Sequence, residues 1–154
     1  MEIGMIVYSL TGHTLRVART LKDQLTADGH SVNMEQVEIV GPAVPANETA
    51  ALKTKPSISP YDGLVFCSPV RGGMLPPPVK RYFEQLGSLE GKRIAILVTG
   101  FFPARWGRER VIAQMRATIE EKGGHVGAAG SVGWFSLNRG QQIKEAVRVL
   151  SQSF

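Results

Sequence analysis

Apolar residues along the chain follow two patterns, short continuous runs and helical spacings. Five runs predict strands, most of them nearly continuous and apolar, as in strands covered on both faces. These runs lie at 3–8, within 30–39, and at 64–67, 93–98 and 126–132. The second contains Val32, Met34 and Val37, and the fifth is rich in glycine. Other stretches repeat apolar residues at i, i+3, i+4 and i+7, which predicts amphipathic helices. Their apolar faces are Val17, Ala18, Leu21 and Leu25; Val79, Tyr82, Phe83 and Leu86; Val111, Ile112, Met115 and Ile119; and Ile143, Ala146, Val147 and Leu150.

The alternation of strands and helices predicts a parallel sheet with helices on both faces, a three-layer α/β/α sandwich. The region from 41 to 60 is rich in Pro, Ala and Thr and predicts at most a short helix around Glu48 to Lys53. No internal repeat or linker interrupts the pattern, so residues 1–154 are expected to form a single domain. In such sheets the ligand site lies at the carboxyl ends of the strands.

Composition narrows the class of protein. Hydrophobic residues make up 43% of the 154 residues and charged residues 20%, which is typical of a soluble globular protein. No apolar run reaches the roughly 20 residues of a membrane helix, and the short apolar N-terminus carries no basic segment typical of a signal peptide. The single cysteine, Cys67, excludes an internal disulfide and fits a reducing compartment. We expect a cytoplasmic protein without a membrane partner.

The chain is basic, with a net charge of +5 and a pI of about 9.7. A basic protein can meet nucleic acid, an anionic cofactor or an acidic protein. No basic helix with interleaved aromatic residues and no nucleic-acid motif is present, so no nucleic-acid partner is expected. No cluster of residues with metal-ligand spacing and no Ser/His/Asp or Cys/His arrangement is found. Neither a metal site nor a catalytic side chain is therefore predicted.

The first loop, Ser9 to Thr14, lies between the first strand and the first helix. Its hydroxyls, its glycine and the free N–H groups of a helix N-terminus predict an anion site. The motifs G-x-x-x-x-G-K-[ST], G-x-G-x-x-G and G-x-S-x-G are absent, as are aspartates at the ends of strands one and three. Triphosphate, dinucleotide, hydrolase and phosphoacceptor chemistry are thereby disfavoured, and a monophosphate remains.

The sequence YSLTGHT resembles the phosphate-binding loop of flavodoxins, T/S-x-T-G-x-T, which directly follows their first strand. The resemblance extends over nearly the whole chain. It implies a flavodoxin-like fold with a five-stranded parallel sheet, FMN as the cofactor, and a phosphate held by the first loop. The residues it implies there are Ser9, Leu10, Thr11, Gly12, His13 and Thr14.

Two further loops resemble those that flank the flavin ring in flavodoxins and in flavodoxin-like quinone reductases. The second is SPVRGGMLPPP, where a glycine peptide is expected to adjust to the reduced ring, and the third is TGFFPARWG. Since only the third contains aromatic residues, Trp106 is the first candidate to stack on the ring, followed by Phe101 and Phe102. The implied residues are Ser68, Pro69, Val70, Arg71, Gly72, Gly73, Thr99, Gly100, Phe101, Phe102, Trp106 and Gly107.

The resemblance leaves open whether the protein is an electron carrier or an enzyme. Its short length favours an electron-transfer protein, and its basic charge favours an acidic redox partner such as a ferredoxin. The arginines at 71, 105, 108 and 110 favour the alternative, an FMN-dependent oxidoreductase that uses NAD(P)H and a small acceptor such as a quinone. A flavin-free interaction module is a third alternative.

Overall fold

The computed structural model describes residues 1–101 and 103–154. Five parallel strands form one sheet in the order β2-β1-β3-β4-β5. The strands are β1 (Glu2–Val7), β2 (Ser31–Gln36), β3 (Gly63–Pro69), β4 (Arg93–Gly100) and β5 (His125–Gly133). The helices are α1 (His13–Ala27), α2 (Pro77–Gln85), α3 (Arg108–Glu121) and α4 (Arg139–Ser151). The flavodoxin-like α/β/α sandwich expected from the sequence is confirmed.

Each strand alternates its side chains between two apolar layers. On β1, Met5 contributes to the layer beneath α1 and α4, whereas Ile6 contributes to the layer beneath α2 and α3. Both layers are built from the helical faces that the apolar spacing predicts. The sheet is therefore covered on both sides, and its carboxyl edge carries the loops.

Local residues determine where the helices begin and end. Pro77 occupies the first helical position of α2, where its missing N–H costs nothing. After α1, Gly29 adopts a φ of 97°, which favours glycine and ends the helix. Among the described residues, no helix has the length and apolar character needed to cross a membrane.

The region between β2 and β3 contains less helix than the sequence allows. No helix forms over 48–53; a single 3-10 turn covers Pro45–Asn47 instead. Residues 51–53 pair with residues 38–40, since the N–H of Val40 donates to Ala51 and the N–H of Lys53 donates to Glu38. An antiparallel bridge between Ile39 and Leu52 completes this return. We call residues 37–54 the strap, because they fold back beside the sheet in this way.

Candidate functional site

A cavity of about 580 Å³ opens at the carboxyl edge of the sheet, beside the topological switch point between β1 and β3. This volume lies in the range of small-molecule and cofactor sites. All three loops singled out in the sequence contribute to its walls. The predicted residues that line it are Leu10, Thr11, Pro69, Val70, Arg71, Gly72, Gly73, Gly100, Phe101, Trp106 and Gly107.

The first loop forms an uncapped helix N-terminus. Gly12 adopts a φ of 87°, and no side chain caps the first turn of α1, so its N–H groups are available to an anion. The hydroxyl of Ser9 accepts a hydrogen bond from the N–H of Gly12 at 3.1 Å, which holds the turn and leaves the Ser9 proton free to donate. The loop therefore offers neutral donors to an anion.

Thr14 connects this loop to the sheet. Its side chain is buried, and its hydroxyl lies 2.7 Å from that of Thr99 at the end of β4. Each hydroxyl has one proton, and their mutual bond uses one of the two. The remaining proton is the one that the pair can donate to an anion.

Loops two and three meet across the cavity. The N–H of Val70 donates to the carbonyl of Thr99 at 2.9 Å. Gly72 and Gly73 have φ values of 56° and 74°, a region that favours glycine, which agrees with the backbone freedom expected of the second loop. Ser68 is fully buried and bonds to the carbonyl of Pro69, so it stabilises the end of β3 and does not line the cavity.

Trp106 lines the cavity and exposes 57% of its surface, and Phe101 is also exposed. An exposed indole at the mouth of a cavity can contact a planar ligand. Phe102, the other aromatic candidate, lies outside the described residues. Stacking of Trp106 on the flavin ring stays a prediction.

The strap supplies a wall and a charge that the sequence analysis did not anticipate. Val44 and its neighbours line the cavity opposite the loops. Glu48 is only 5% exposed and forms an ion pair with Arg71, with 2.5 Å between its Oε1 atom and Nε. Tyr8 donates to the other carboxylate oxygen at 3.2 Å, and burial together with this carboxylate raises the pKa of the Tyr8 hydroxyl. The positive charge of Arg71 is therefore offset from a segment distant in sequence.

Arg108 differs from Arg71, because it is buried and forms no ion pair with the described residues. The side chain is only 7% exposed and passes beneath the third loop, where a Cβ on Gly100 would lie 3.0 Å from its Cγ. Its Nη1 atom donates to Ser131 at 3.1 Å, but its Nε atom has no partner. Burial lowers the pKa of Arg108, yet an arginine stays protonated near neutral pH. Neither of the two ion pairs formed by the described residues involves it.

The described residues hold neither a metal-ligand cluster nor an exposed cysteine thiol. Among the described residues, no group of three His, Cys, Asp or Glu side chains lies close enough to hold a metal ion. Cys67 is fully buried, and burial raises the pKa of its thiol, which makes the thiolate scarce. Cys67 therefore packs in the core as a small apolar residue.

An aromatic group beside the cavity was also missed. His13 stacks on Trp134 with ring centroids 4.0 Å apart, and Phe101 stacks on Phe135 at 4.8 Å. Trp134 and Phe135 follow β5 directly, and the sequence analysis had assigned no ligand role to that connection. The only sequence indication was two adjacent aromatic residues after an apolar strand.

Comparison with known proteins places the fold and the cofactor. The sequence model described as NADPH-dependent FMN reductase matches residues 1–136. The chain is 30% identical over 98 residues to protoplast secreted protein 2 of Saccharomyces cerevisiae, a match that covers 59% of this chain and 50% of that protein. The chain thus spans about half the length of this relative.

Solved structures agree on the architecture. Oxidised flavodoxin 2 from Bacillus cereus superposes with a TM-score of 0.70 at 20% identity, with complete coverage of both chains. The flavodoxin of Streptococcus pneumoniae TIGR4 gives a TM-score of 0.69 at 16% identity, again over both complete chains. At such identities the likeness shows the fold alone. The extent of the family match, together with a cavity of fitting size at the carboxyl edge of the sheet, shows that this chain belongs to the NADPH-dependent FMN reductase family and binds FMN on a flavodoxin-like fold.

Proposed function

We propose that the FMN-loaded chain is a reductase that takes electrons in pairs from NAD(P)H and passes them to a small acceptor of the quinone type. Bound FMN supplies the capacity to accept and release a hydride. In each turnover, two electrons and one proton leave NAD(P)H as hydride, water supplies a second proton, and the acceptor gains both hydrogens. The chain's own residues bind the cofactor and set the electrostatics around it.

The main support for this proposal is the buried positive charge of Arg108. Fully reduced flavin in this family is an anion, and a nearby cation stabilises it. At an effective dielectric of about 20, a unit charge at about 8 Å contributes roughly 2 kcal/mol. Arg71 contributes less than the sequence suggests, because Glu48 offsets its charge. Arg108 forms no ion pair with the described residues and is shielded from solvent, so its charge is screened less by salt.

The open apolar cavity supports the same function. Exposed side chains of Val44, Met74 and Trp106 lie around the loops, so a flat apolar acceptor can approach without a lid. The exchange of NAD(P)H for an acceptor at one face of a ring needs such access. A second candidate is an electron carrier that docks on an acidic redox protein. The net charge of +5 supports it.

Anaerobic mixing of the FMN-loaded protein with NADPH or NADH separates the two candidates. A reductase should bleach the flavin absorbance within seconds, and a quinone should restore it. A flavin that stays oxidised with both nucleotides, but is reduced rapidly by a reduced ferredoxin, would overturn the reductase proposal and favour the carrier.

The Arg108→Met variant tests whether the charge of Arg108 stabilises the reduced flavin. Methionine keeps much of the aliphatic volume and removes the charge. The two-electron midpoint potential should become more negative, whereas Arg110→Met, on the exposed side of α3, should leave it unchanged. Equal midpoint potentials for Arg108→Met and the wild type would show that the charge of Arg108 does not affect the flavin.

A further inference from the structure

Four rings form a continuous surface beside the cavity, which we call the aromatic ledge: His13, Phe101, Trp134 and Phe135. His13 and Trp134 stack nearly parallel, at 14°, and the edge of His13 meets Phe101 at 5.4 Å. Phe101 in turn stacks on Phe135 at an angle of 25°. The ledge therefore joins the phosphate loop, the third loop and the connection after β5. Because Phe101 also lines the cavity, ledge and cavity are adjacent.

The outer end of the ledge is open to solvent. Phe135 exposes 73% of its surface, although its neighbour Trp134 is buried. An exposed aromatic face next to a cofactor site can take up a planar base, and stacking on an aromatic residue contributes about 1–3 kcal/mol per base. The ring geometry thus provides a place for a base outside the cavity.

Two arginines make the ledge positive. The guanidinium of Arg139 lies 4.6 Å from the centroid of Trp134 and that of Arg16 lies 5.7 Å from it. One N–H of Arg139 donates to the carbonyl of Trp134. Neither arginine belongs to the two ion pairs seen among the described residues. The first turns of α1 and α4 contain no acidic residue.

The positive charges of Arg139 and Arg16 also affect the pKa of His13. Burial lowers the pKa of His13, and the charges of Arg139 and Arg16 lower it further. The imidazole is thus neutral near pH 7 and leaves the positive potential to the two arginines. An anion near the ledge would find guanidinium donors, and the first turns of α1 and α4 place no carboxylate beside them.

We propose that the aromatic ledge binds the adenosine 2′-phosphate half of NADPH, with the adenine on the open face of Phe135 and the phosphate at Arg139 and Arg16. This inference rests on the proposed function, because it assigns the nucleotide of the same reaction. The first loop is reserved for the phosphate of FMN. The ledge is the neighbouring surface of the described chain that combines an open ring with uncompensated cations, which is what an adenosine carrying an extra phosphate requires. It gives the protein a preference for NADPH over NADH.

Equilibrium binding of adenosine 2′,5′-bisphosphate to the FMN-loaded protein tests the ledge without any turnover. By calorimetry, Arg139→Ala should weaken binding about tenfold, the equivalent of one charge-assisted hydrogen bond, and Phe135→Ser severalfold. Two matched controls should stay within about twofold of the wild type. They are Arg148→Ala near the other end of α4, and Leu137→Ser, an exposed apolar residue of the same connection. Adenosine 5′-monophosphate should respond less to Arg139→Ala, because it lacks the 2′-phosphate.

Steady-state kinetics supply the second readout. Arg139→Ala should raise KM for NADPH more than KM for NADH and leave kcat near the wild-type value. If bisphosphate affinity is the same in all four variants, the ledge is not the adenosine site, even where NADPH still reduces the flavin. If instead the Phe135→Ser variant changes only the oligomeric state in sedimentation, the ledge is an interface between copies and the inference is overturned. Failure of NADPH and NADH to reduce the flavin would contradict the proposed function, while the binding measurement still decides the ledge.

Discussion

At the scale of single residues, the hydroxyl of Thr14 links the first loop to the sheet. Thr11 is exposed at the cavity, whereas Thr14 is buried and bonded to Thr99. Replacing both Thr11 and Thr14 by Val should weaken FMN binding by about 2–3 kcal/mol, since two hydrogen bonds to a charged group are lost. Flavin-fluorescence titration measures this loss.

The two threonines should differ in their effect on folding. Thr14→Val should lower the free energy of unfolding by about 1 kcal/mol, because it leaves the hydroxyl of Thr99 without its partner, and Thr11→Val should leave it unchanged. Thr118→Val on α3, whose hydroxyl donates to the carbonyl of Gln114, serves as the control for FMN binding. Unchanged affinity in the double variant would move the phosphate away from the first loop.

Trp106 is the residue whose role depends most on the resemblance. If the indole lies against the flavin ring, it should quench flavin fluorescence strongly, and Trp106→Ala should restore much of the emission. Trp134→Phe is the matched control, because the buried Trp134 stacks on His13 and does not line the cavity. Equal quenching in the wild type and in the Trp106→Ala, Phe101→Ala and Phe102→Ala proteins would contradict stacking in the third loop.

At the scale of elements, the strap adds a carboxylate to the second loop. Glu48 neutralises Arg71 and accepts the Tyr8 hydroxyl, and its own carbonyl accepts from Arg81. Glu48→Gln keeps the size and an acceptor but removes the negative charge. The two-electron midpoint potential should then rise by roughly 20–40 mV, which corresponds to about 1–2 kcal/mol.

Spectroelectrochemistry of a double-mutant cycle tests this assignment. Arg71→Met alone should lower the potential, and the double variant should return towards the wild type, because the pair is removed together. Glu145→Gln, in the exposed pair with Arg148 on α4, controls for net charge. A potential that responds equally to Glu48→Gln and Glu145→Gln would place Glu48 outside the reach of the flavin.

The same elements show how far the sequence could predict the structure. Strands and helices follow from apolar periodicity, because a sheet covered on both faces needs continuous apolar strands and one-sided helices. The cavity-lining loops follow from their place after the strands. Glu48 could not be predicted, since its partners Tyr8 and Arg71 meet it only after the strap folds back. The absence of a helix at 48–53 has the same cause, because residues 48–50 form a turn and Leu52 pairs with Ile39.

At the scale of the whole molecule, the basic charge should control which protein partners the flavin meets. The chain carries +5 at pH 7, and exposed apolar side chains surround the cavity. Opposite charges accelerate encounter, and this steering weakens as the Debye length falls from about 30 Å at 0.01 M salt to about 8 Å at 0.15 M.

Stopped-flow measurement of electron exchange with three acceptors checks this steering. Over that range of salt, the second-order rate constant with an acidic ferredoxin should fall about tenfold, whereas that with a basic cytochrome should rise. A neutral quinone should show no salt dependence, because its encounter involves no net charge, and it therefore serves as the internal control. If the ferredoxin and the cytochrome respond to salt in the same direction, the charge of the molecule does not steer docking at the flavin edge. The net charge would then give no reason to expect an acidic protein partner. The proposed reduction of small acceptors would be unaffected.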